Sequence, residues 1–132
     1  MSTKPTRNAK STQELRFYHH PTCSTCKKAQ KWLGAHDVTV EERRIAETPP
    51  SARELEDAIV RSGLPAKRFF NTSGQSYRAG GWSEKVDALS VRDASEALAA
   101  DGMLIKRPLL IGADVVLVGF REDAYAEALA GA

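Results

Sequence analysis

The sequence predicts an α/β domain built on one four-stranded mixed sheet that is covered by helices. Three observations support this prediction. A strand, a helix and a second strand fill the first third of the chain, a helical insertion follows them, and a hairpin with a final helix closes the chain. The 132 residues suffice for one domain. Their 42% hydrophobic and 27% charged content is typical of a soluble globular core.

The first unit is a βαβ motif. Leu15–Tyr18 alternates apolar with polar residues and predicts a short strand. From Thr22 to about Ala35 the apolar positions recur at helical spacing, which predicts an amphipathic helix with one sector formed by Cys26, Ala29, Gln30 and Leu33. Alternation from Val38 to Ile45 predicts the second strand. Two strands joined in this way run parallel.

Residues 51–101 are predicted to form the helical insertion. The segment from Ser51 to Glu54 is a capping box, and the helix that it opens ends at Gly63 with Leu55, Ala58 and Ile59 facing inward. Residues 65–81 predict one short helical turn between loops. Two further helices are predicted over Ser83–Leu89 and Asp93–Ala100, the second opened by Asp93 and Glu96 and ended by Gly102.

The end of the chain predicts a hairpin and a helix. Leu109–Ile111 and Val115–Val118 flank a turn at 112–114, and Glu122–Ala130 follows as a helix with one face formed by Tyr125, Ala128 and Leu129. This outline is thioredoxin-like.

We expect residues 1–14 to be a disordered tail and residues 15–132 to be a single domain.

The charge pattern gives no reason to expect a nucleic-acid or membrane partner. The net charge of +2 lies entirely within residues 1–14, and the rest of the chain is balanced. The longest apolar run, Val115–Phe120, is far shorter than the roughly 20 residues that span a bilayer, and the N-terminus lacks the apolar core of a secretory signal. We expect a cytoplasmic protein in a reducing compartment, and a monomer.

The clearest chemical feature is a C-x-x-C motif formed by Cys23 and Cys26, placed where the first strand ends and the first helix begins. Free backbone N–H groups and the positive end of the helix dipole stabilise an anion at such a position, and Lys27 and Lys28 add positive charge. Cys23 is predicted to be the exposed nucleophile. Cys26 lies one turn inside and is placed to resolve a mixed disulfide on Cys23.

Three other interpretations of the two cysteines remain open. They could provide half of a zinc site, with nitrogen ligands from His19, His20 or His36, although we expect no metal because no second cysteine pair exists. They could form a structural disulfide, or be two inert buried thiols. His19 and His20 stand beside the cysteines and could tune them, but a histidine at a strand end is commonly a loop residue, so neither is placed in the catalytic set.

Arg107 and Pro108 precede the predicted hairpin. A proline at the first residue of a strand need not donate to the ladder, and an X-Pro bond is where cis peptides occur. One interpretation is a simple strand boundary. In the other, Arg107 lies beside the thiols and holds an oxyanion or the thiolate through its fork of donors.

Four ordered motifs over residues 15–129 resemble the arsenate reductase and Spx family, a branch of the thioredoxin-like superfamily. They are Tyr18-His-His-Pro-x-Cys23 with Cys26-Lys-Lys-Ala29, Phe70-Asn-Thr-Ser-Gly74 with Tyr77-Arg78, the run from Asp101 to Pro108, and Val118-Gly-Phe-x-Glu-Asp123. The resemblance implies that Cys23 is the nucleophile, that Arg107 binds an oxyanion and that Pro108 is a cis proline facing the cysteine loop. The resemblance is strongest to the family's uncharacterised arsenate reductase-like proteins.

The chain departs from the glutathione- and glutaredoxin-linked arsenate reductases at two arginine positions, which hold Asn71 and Phe120. Each charge-assisted hydrogen bond is worth about 1.5–3 kcal/mol, so their loss is expected to weaken arsenate binding. Arg68, Arg78 or Arg121 could compensate. Cys26 is a further departure, because those reductases typically use one cysteine and borrow the second thiol from glutathione.

These residues support two hypotheses. The first is a thiol-dependent oxidoreductase with Cys23, Cys26 and Arg107 as catalytic residues. Pro108, Thr25 and Asn71 are its substrate or structural residues, no cofactor is bound, and glutathione, glutaredoxin or thioredoxin is the electron donor. The second is an Spx-like redox switch that binds the RNA polymerase α subunit and is modulated by a Cys23–Cys26 disulfide.

Overall fold

A computed structural model describes residues 15–130, and the predicted tail 1–14 lies outside the described residues. The four strands are β1 (Arg16–His19), β2 (Glu41–Arg44), β3 (Leu109–Ile111) and β4 (Val116–Val118), arranged in the order β2-β1-β3-β4. β1 pairs in parallel with β2 and antiparallel with β3, and β3 pairs antiparallel with β4. This mixed sheet confirms the predicted thioredoxin-like α/β fold.

Helices cover both faces of the sheet. They are α1 (Ser24–Ala35), α2 (Ala52–Ser62), α3 (Gln75–Ala79), α4 (Val91–Ala100) and α5 (Glu122–Tyr125), and α5 continues as a π-helix over Ala126–Ala130. Four 3-10 turns complete the described elements, at Ala66–Phe69, Trp82–Glu84, Val86–Ala88 and Gly102–Leu104. The order of these elements places α2 to α4 between β2 and β3.

The alternation of side chains along the strands divides the core into two layers. Phe17 and Leu110 point to one face, where they pack with Ala29, Trp32 and Leu33 of α1 and with Tyr125. On the other face Tyr18 joins Leu109 and Ile111 in a larger cluster that contains the buried residues of α2 and α4. The sheet is therefore covered by α1 and α5 on one side and by the insertion on the other.

A polar cluster ties the insertion to the sheet. The hydroxyl of Tyr18 donates to Glu54 of α2 (3.2 Å) and accepts from Arg43 of β2 (3.1 Å). Glu54 also forms an ion pair with Arg16. Because Tyr18 is fully buried, its hydroxyl needs hydrogen-bond partners within the protein, and Glu54 and Arg43 provide them.

The predicted start and end of α2 are confirmed. Ser51 accepts a hydrogen bond from the Glu54 backbone N–H (3.1 Å), and Gly63 ends the helix at a φ of 72°, a left-handed conformation that glycine adopts without a steric penalty. Leu55, Ala58 and Ile59 are buried as predicted.

Other predicted boundaries are wrong in ways that follow from local chemistry. β3 is confirmed at its predicted residues, whereas β1, β2 and β4 begin one to three residues later than predicted. α1 begins at Ser24 because Cys23 is its N-cap. The helix predicted over Ser83–Leu89 is instead two 3-10 turns that are separated at Lys85. Short 3-10 turns produce no 3.6-residue periodicity that a sequence could reveal.

The boundaries of α4 and of the last helix also differ from the prediction. Ser90 caps α4, so Asp93, predicted as the cap, lies inside the helix and donates its backbone N–H to the Ser90 hydroxyl (3.0 Å). Asp101 rather than Gly102 follows the last turn. In the final helix Tyr125 is buried, but the π-helical turn leaves Ala128 exposed instead of on the buried face.

Across residues 15–130, no helix has both the length and the apolar stretch that crossing a membrane requires.

Gly102 is a point of close backbone approach that an alanine should disrupt. A Cβ at this position would overlap the carbonyl oxygen of Ile45 at the end of β2, and the obstacle is backbone that cannot rotate away. We expect Gly102→Ala to lower the free energy of unfolding by about 1–3 kcal/mol, the usual cost of overpacking, as measured by urea denaturation.

Gly34→Ala in α1 is the matched control, because nothing lies within 4 Å of a Cβ added there. It should raise the free energy of unfolding by about 0.4–1 kcal/mol through the reduced entropy of the unfolded chain. Equal effects of the two substitutions would contradict this account of Gly102.

Candidate functional site

The site begins at the turn between β1 and α1. The backbone N–H of Cys23 donates to the carbonyl of His20 (3.1 Å), and this turn leaves Cys23 in an extended conformation at the N-cap of α1. The Cys23 Sγ atom accepts a hydrogen bond from the backbone N–H of Cys26 (3.1 Å). A sulfur thus takes the place of the hydroxyl or carboxylate oxygen that usually caps a helix, at the positive end of the helix dipole.

The two cysteines differ sharply in exposure. Both are free thiols, and Cys23 is half-buried whereas Cys26 is fully buried. Burial raises the pKa of Cys26 to about 12, and hydrogen bonding to Cys23 adds to this rise. At neutral pH Cys26 is therefore a protonated thiol behind the more accessible Cys23 sulfur, which agrees with the predicted order of exposure.

Arg107 and Pro108 lie immediately before β3, and the peptide bond between them is cis. The Arg107 Nε and one terminal nitrogen are buried and have no hydrogen-bond partner among the described residues. Its charge reaches Cys26, since it lowers the pKa of that thiol against the effect of burial. Because β1 and β3 are antiparallel, with Tyr18 opposite Leu109, Arg107 lies at the end of the sheet where the cysteine turn begins.

Asn71 is held mainly by its own turn. Its backbone carbonyl accepts from Gly74 (3.0 Å), and its side-chain oxygen accepts from the Ser73 hydroxyl (3.5 Å). Its backbone N–H donates to Leu104 (2.8 Å), which sets this turn beside the segment that leads to Arg107. Asn71 thus borders the approach to β3.

The arginines considered as replacements have other surroundings. Arg78 donates to the carbonyl of Ser73 (2.8 Å), and Arg121 forms an ion pair with Asp123 (2.9 Å). Arg68 is exposed on a 3-10 turn. Phe120 packs its ring against Tyr125 at a centroid distance of 4.7 Å. Arg78 and Arg121 each have a partner among the described residues, and both partners lie within five residues along the chain.

The histidines do not converge on the cysteines as metal ligands would. His19 stacks on Phe17 and lies 3.5 Å from a carboxylate oxygen of Glu42, while His36 stacks on the Trp32 indole at the far end of α1. Between residues 15 and 130, no three His, Cys, Asp or Glu side chains are grouped as a metal site would require. The geometry of this part of the chain thus gives the zinc interpretation no complete ligand set.

Two features near the cysteines were not predicted. The Tyr125 hydroxyl is buried without a partner in the described chain, and burial together with the charge of Cys26 raises its pKa well above the usual range. The second feature is a groove along α1 of about 640 Å³, whose lining includes Thr25, exposed within the C-x-x-C segment. Helical periodicity predicted that Tyr125 faces the core, but no sequence signal indicates that its hydroxyl lacks a partner.

Comparison with known proteins shows the family to which the chain belongs. A model of the ArsC family matches residues 18–128. The protein YusI of Bacillus subtilis (strain 168) is 50% identical over 113 residues, which cover 86% of this chain and 96% of YusI. The global transcriptional regulator Spx of Enterococcus faecalis is 28% identical over 109 residues, which cover 83% of this chain and 81% of Spx.

A solved structure is also similar. The crystal structure of a possible arsenate reductase from Streptococcus mutans UA159 has a TM-score of 0.79 and 43% identity, and the match covers 83% of this chain and 93% of that one. The identity to YusI exceeds that to Spx, as expected for the arsenate reductase-like branch.

The raised pKa of Cys26 predicts a loss of stability in alkali. Between its ordinary value near 9 and its folded value of about 12, the unfolded chain has released the proton while the folded protein still holds it. Raising the pH through this window therefore favours unfolding. We expect the free energy of unfolding, measured by urea denaturation at several pH values, to fall from about pH 9 upward.

Cys26→Ala should make this fall shallower. The cavity that the substitution creates lowers the free energy of unfolding by a similar amount at every pH. The informative quantity is therefore the slope of the free energy of unfolding against pH. A slope identical to that of the wild type would contradict the assignment of a raised pKa to Cys26.

Proposed function

The chain belongs to the ArsC family, and from that premise we propose that it is a cytoplasmic thiol–disulfide oxidoreductase. Cys23 is its nucleophile, Cys26 its resolving thiol and Arg107 its anion-binding residue. Two observations support the proposal: a thiol caps α1 at the end of the sheet where β3 follows Arg107, and two buried donors of Arg107 have no partner among the described residues. A protein that keeps such donors unpaired in its interior loses stability, unless a ligand uses them.

In the first step the Cys23 thiolate attacks one sulfur of a substrate disulfide. A bond forms between Cys23 and that sulfur, the substrate S–S bond breaks, and the second substrate sulfur leaves as a thiolate with the electron pair. The backbone N–H of Cys26 and the dipole of α1 stabilise the Cys23 thiolate before attack. We propose that Arg107 stabilises negative charge on the attacked group.

In the second step Cys26 resolves the mixed disulfide. Burial is the largest cause that raises the Cys26 pKa, and the Cys23 sulfur adds to it through a hydrogen bond and its charge, whereas Arg107 opposes it. Once Cys23 is held in a disulfide, its sulfur carries no charge and no longer raises the pKa of Cys26. The charge of Arg107 still lowers that pKa. Cys26 becomes easier to deprotonate only after the first step, which sets the order of the reaction.

The Cys26 thiolate then attacks Cys23 Sγ and releases the bound thiol. The two cysteines have by then given two electrons to the substrate and share a disulfide. An external thiol must restore them, and we propose glutathione, with glutaredoxin or thioredoxin, as that donor. The one-turn separation of the pair and the 3.1 Å contact between Cys26 N–H and Cys23 Sγ support a short path between the two sulfurs.

A disulfide fits this site better than arsenate does. A multiply charged oxyanion needs several cationic contacts, but Asn71 and Phe120 are neutral, and Arg78 and Arg121 have partners of their own. Among these arginines, Arg107 is the one that has buried donors without a partner among the described residues. We therefore propose a disulfide, such as a glutathione mixed disulfide, as the substrate.

The test is NADPH consumption coupled to glutathione and glutaredoxin, or to thioredoxin, with hydroxyethyl disulfide and arsenate compared as substrates. We expect turnover of the disulfide to exceed that of arsenate. Cys23→Ser should abolish it, and Cys26→Ser should retain part of it when glutathione is present, because glutathione can replace the second thiol. Arg107→Met should reduce it about tenfold or more, the value of one charge-assisted hydrogen bond.

Two results would overturn this proposal. One is undiminished disulfide turnover in Cys23→Ser. The other is arsenate reduction that is faster than disulfide reduction and independent of Arg107.

A second candidate function is a redox-switched regulator, favoured by two observations. Cys23 and Cys26 lie one helical turn apart with the Cys26 backbone N–H bonded to the Cys23 sulfur, and the chain is similar to the transcriptional regulator Spx. This candidate predicts binding to the C-terminal domain of the RNA polymerase α subunit that changes when the pair is oxidised. Absence of binding in both redox states would exclude it.

A further inference from the structure

The groove along α1 has one end at Thr25, the residue before Cys26, and neither cysteine is among its lining residues. Thr25, which lies between the two cysteines, lines its near end, and His36 lines its far end. Trp32 on α1 and Phe120 after β4 provide its apolar walls, and the His36 ring lies over the Trp32 indole with centroids 3.9 Å apart. Its volume is about 640 Å³.

The charge of the groove is predominantly positive. Lys28 and Lys31 line it, and α1 contains no acidic residue. The ion pairs found among residues 15–130 include neither lysine. Glu122 on the opposite wall is the acidic group that faces them. A ligand of this groove should therefore place negative charge near Lys28 and Lys31 and apolar groups against Trp32 and Phe120.

The length of the groove indicates the kind of ligand. Helix rise gives about 15 Å between Thr25 and Ala35, and an extended chain covers about 3.3 Å per residue, so roughly four or five peptide residues fill it. Glutathione is attached through its central cysteine, so it extends by one residue on either side of the disulfide. Lys31, about 9 Å along the axis from Thr25, is better reached by a longer peptide tethered at Cys23.

From these observations we infer that the groove binds an acidic polypeptide segment that flanks the disulfide of a protein substrate. The inference rests on the proposed function and specifies its substrate class. Cys23 attacks the sulfur carried by that segment, a Cys23–substrate disulfide forms, and the other sulfur leaves as a thiolate. The segment then lies along α1 with its carboxylates at Lys28 and Lys31, and this contact raises the rate of capture.

The experiment uses pentapeptides that carry one cysteine activated as a 2-pyridyl disulfide. One set has two glutamates and a leucine, and the other has two lysines and a leucine. Each is prepared with the cysteine first and with the cysteine last, so that both chain directions along α1 are tested. Release of 2-thiopyridone gives the rate constant, and the rate of iodoacetamide alkylation of each variant corrects for changes in the thiol itself.

At low ionic strength we expect the acidic peptide to react about tenfold faster than the basic one, and the difference to shrink in high salt. Lys31→Glu should abolish or reverse the preference. The matched control is Lys27→Glu, which makes the same charge change on α1 nearer to Cys23 but outside the groove lining. It should keep most of the preference.

Three outcomes would overturn the inference while leaving the proposed function standing. These are equal rates for the two peptides at low salt, an equal loss of preference in Lys27→Glu and Lys31→Glu, and an equal slowing of the glutathione 2-pyridyl disulfide by Lys31→Glu. The last result would mean that a tripeptide fills the site. Absence of thiopyridone release with every probe would overturn the proposed function together with this inference.

Discussion

The hydrogen bond from the Cys26 backbone N–H to Cys23 Sγ is the interaction on which the site depends. A helix needs an acceptor at its N-cap, and here that acceptor is the reactive sulfur. One local geometry therefore begins α1, exposes Cys23 and directs Cys26 into the interior one turn later. The reactivity of the pair follows from the way in which the helix starts.

The rest of the fold fixes that helix start relative to Arg107. β1 carries the turn that precedes Cys23, and its antiparallel neighbour β3 begins directly after Arg107 and the cis peptide bond. Because the two strands are hydrogen-bonded, the cysteine pair and the guanidinium lie at the same end of the sheet. The insertion covers the opposite face and is anchored by the Tyr18 hydroxyl through Glu54. The electrostatic environment of Cys26 is thus set by elements far apart in the sequence.

Much of this architecture could be predicted because local signals and tertiary structure agree. The βαβ motif, the Ser51 cap, the left-handed Gly63 and the hairpin each have a short-range physical cause. The errors occurred where the cause is not periodic, as in the 3-10 turns on either side of Lys85, or where two capping residues competed, as with Ser90 and Asp93.

The chemistry of the site was only partly predictable. The C-x-x-C position identified the thiols, and the resemblance pointed to Arg107. The unpartnered donors of Arg107 and the buried hydroxyl of Tyr125 depend on which groups pack around them, as does the groove between α1 and Phe120. No window of sequence contains that information, because the contacting residues come from opposite ends of the chain.

The most direct test of the central claim is to find which sulfur reacts first. Cys26→Ser and wild type would be treated with oxidised glutathione, quenched in acid and mapped by peptide mass. We predict one glutathione on Cys23 in Cys26→Ser, and a Cys23–Cys26 disulfide with only a transient adduct in the wild type. A stable adduct on Cys26 of the wild type, or no adduct on Cys23 of the variant, would contradict the account.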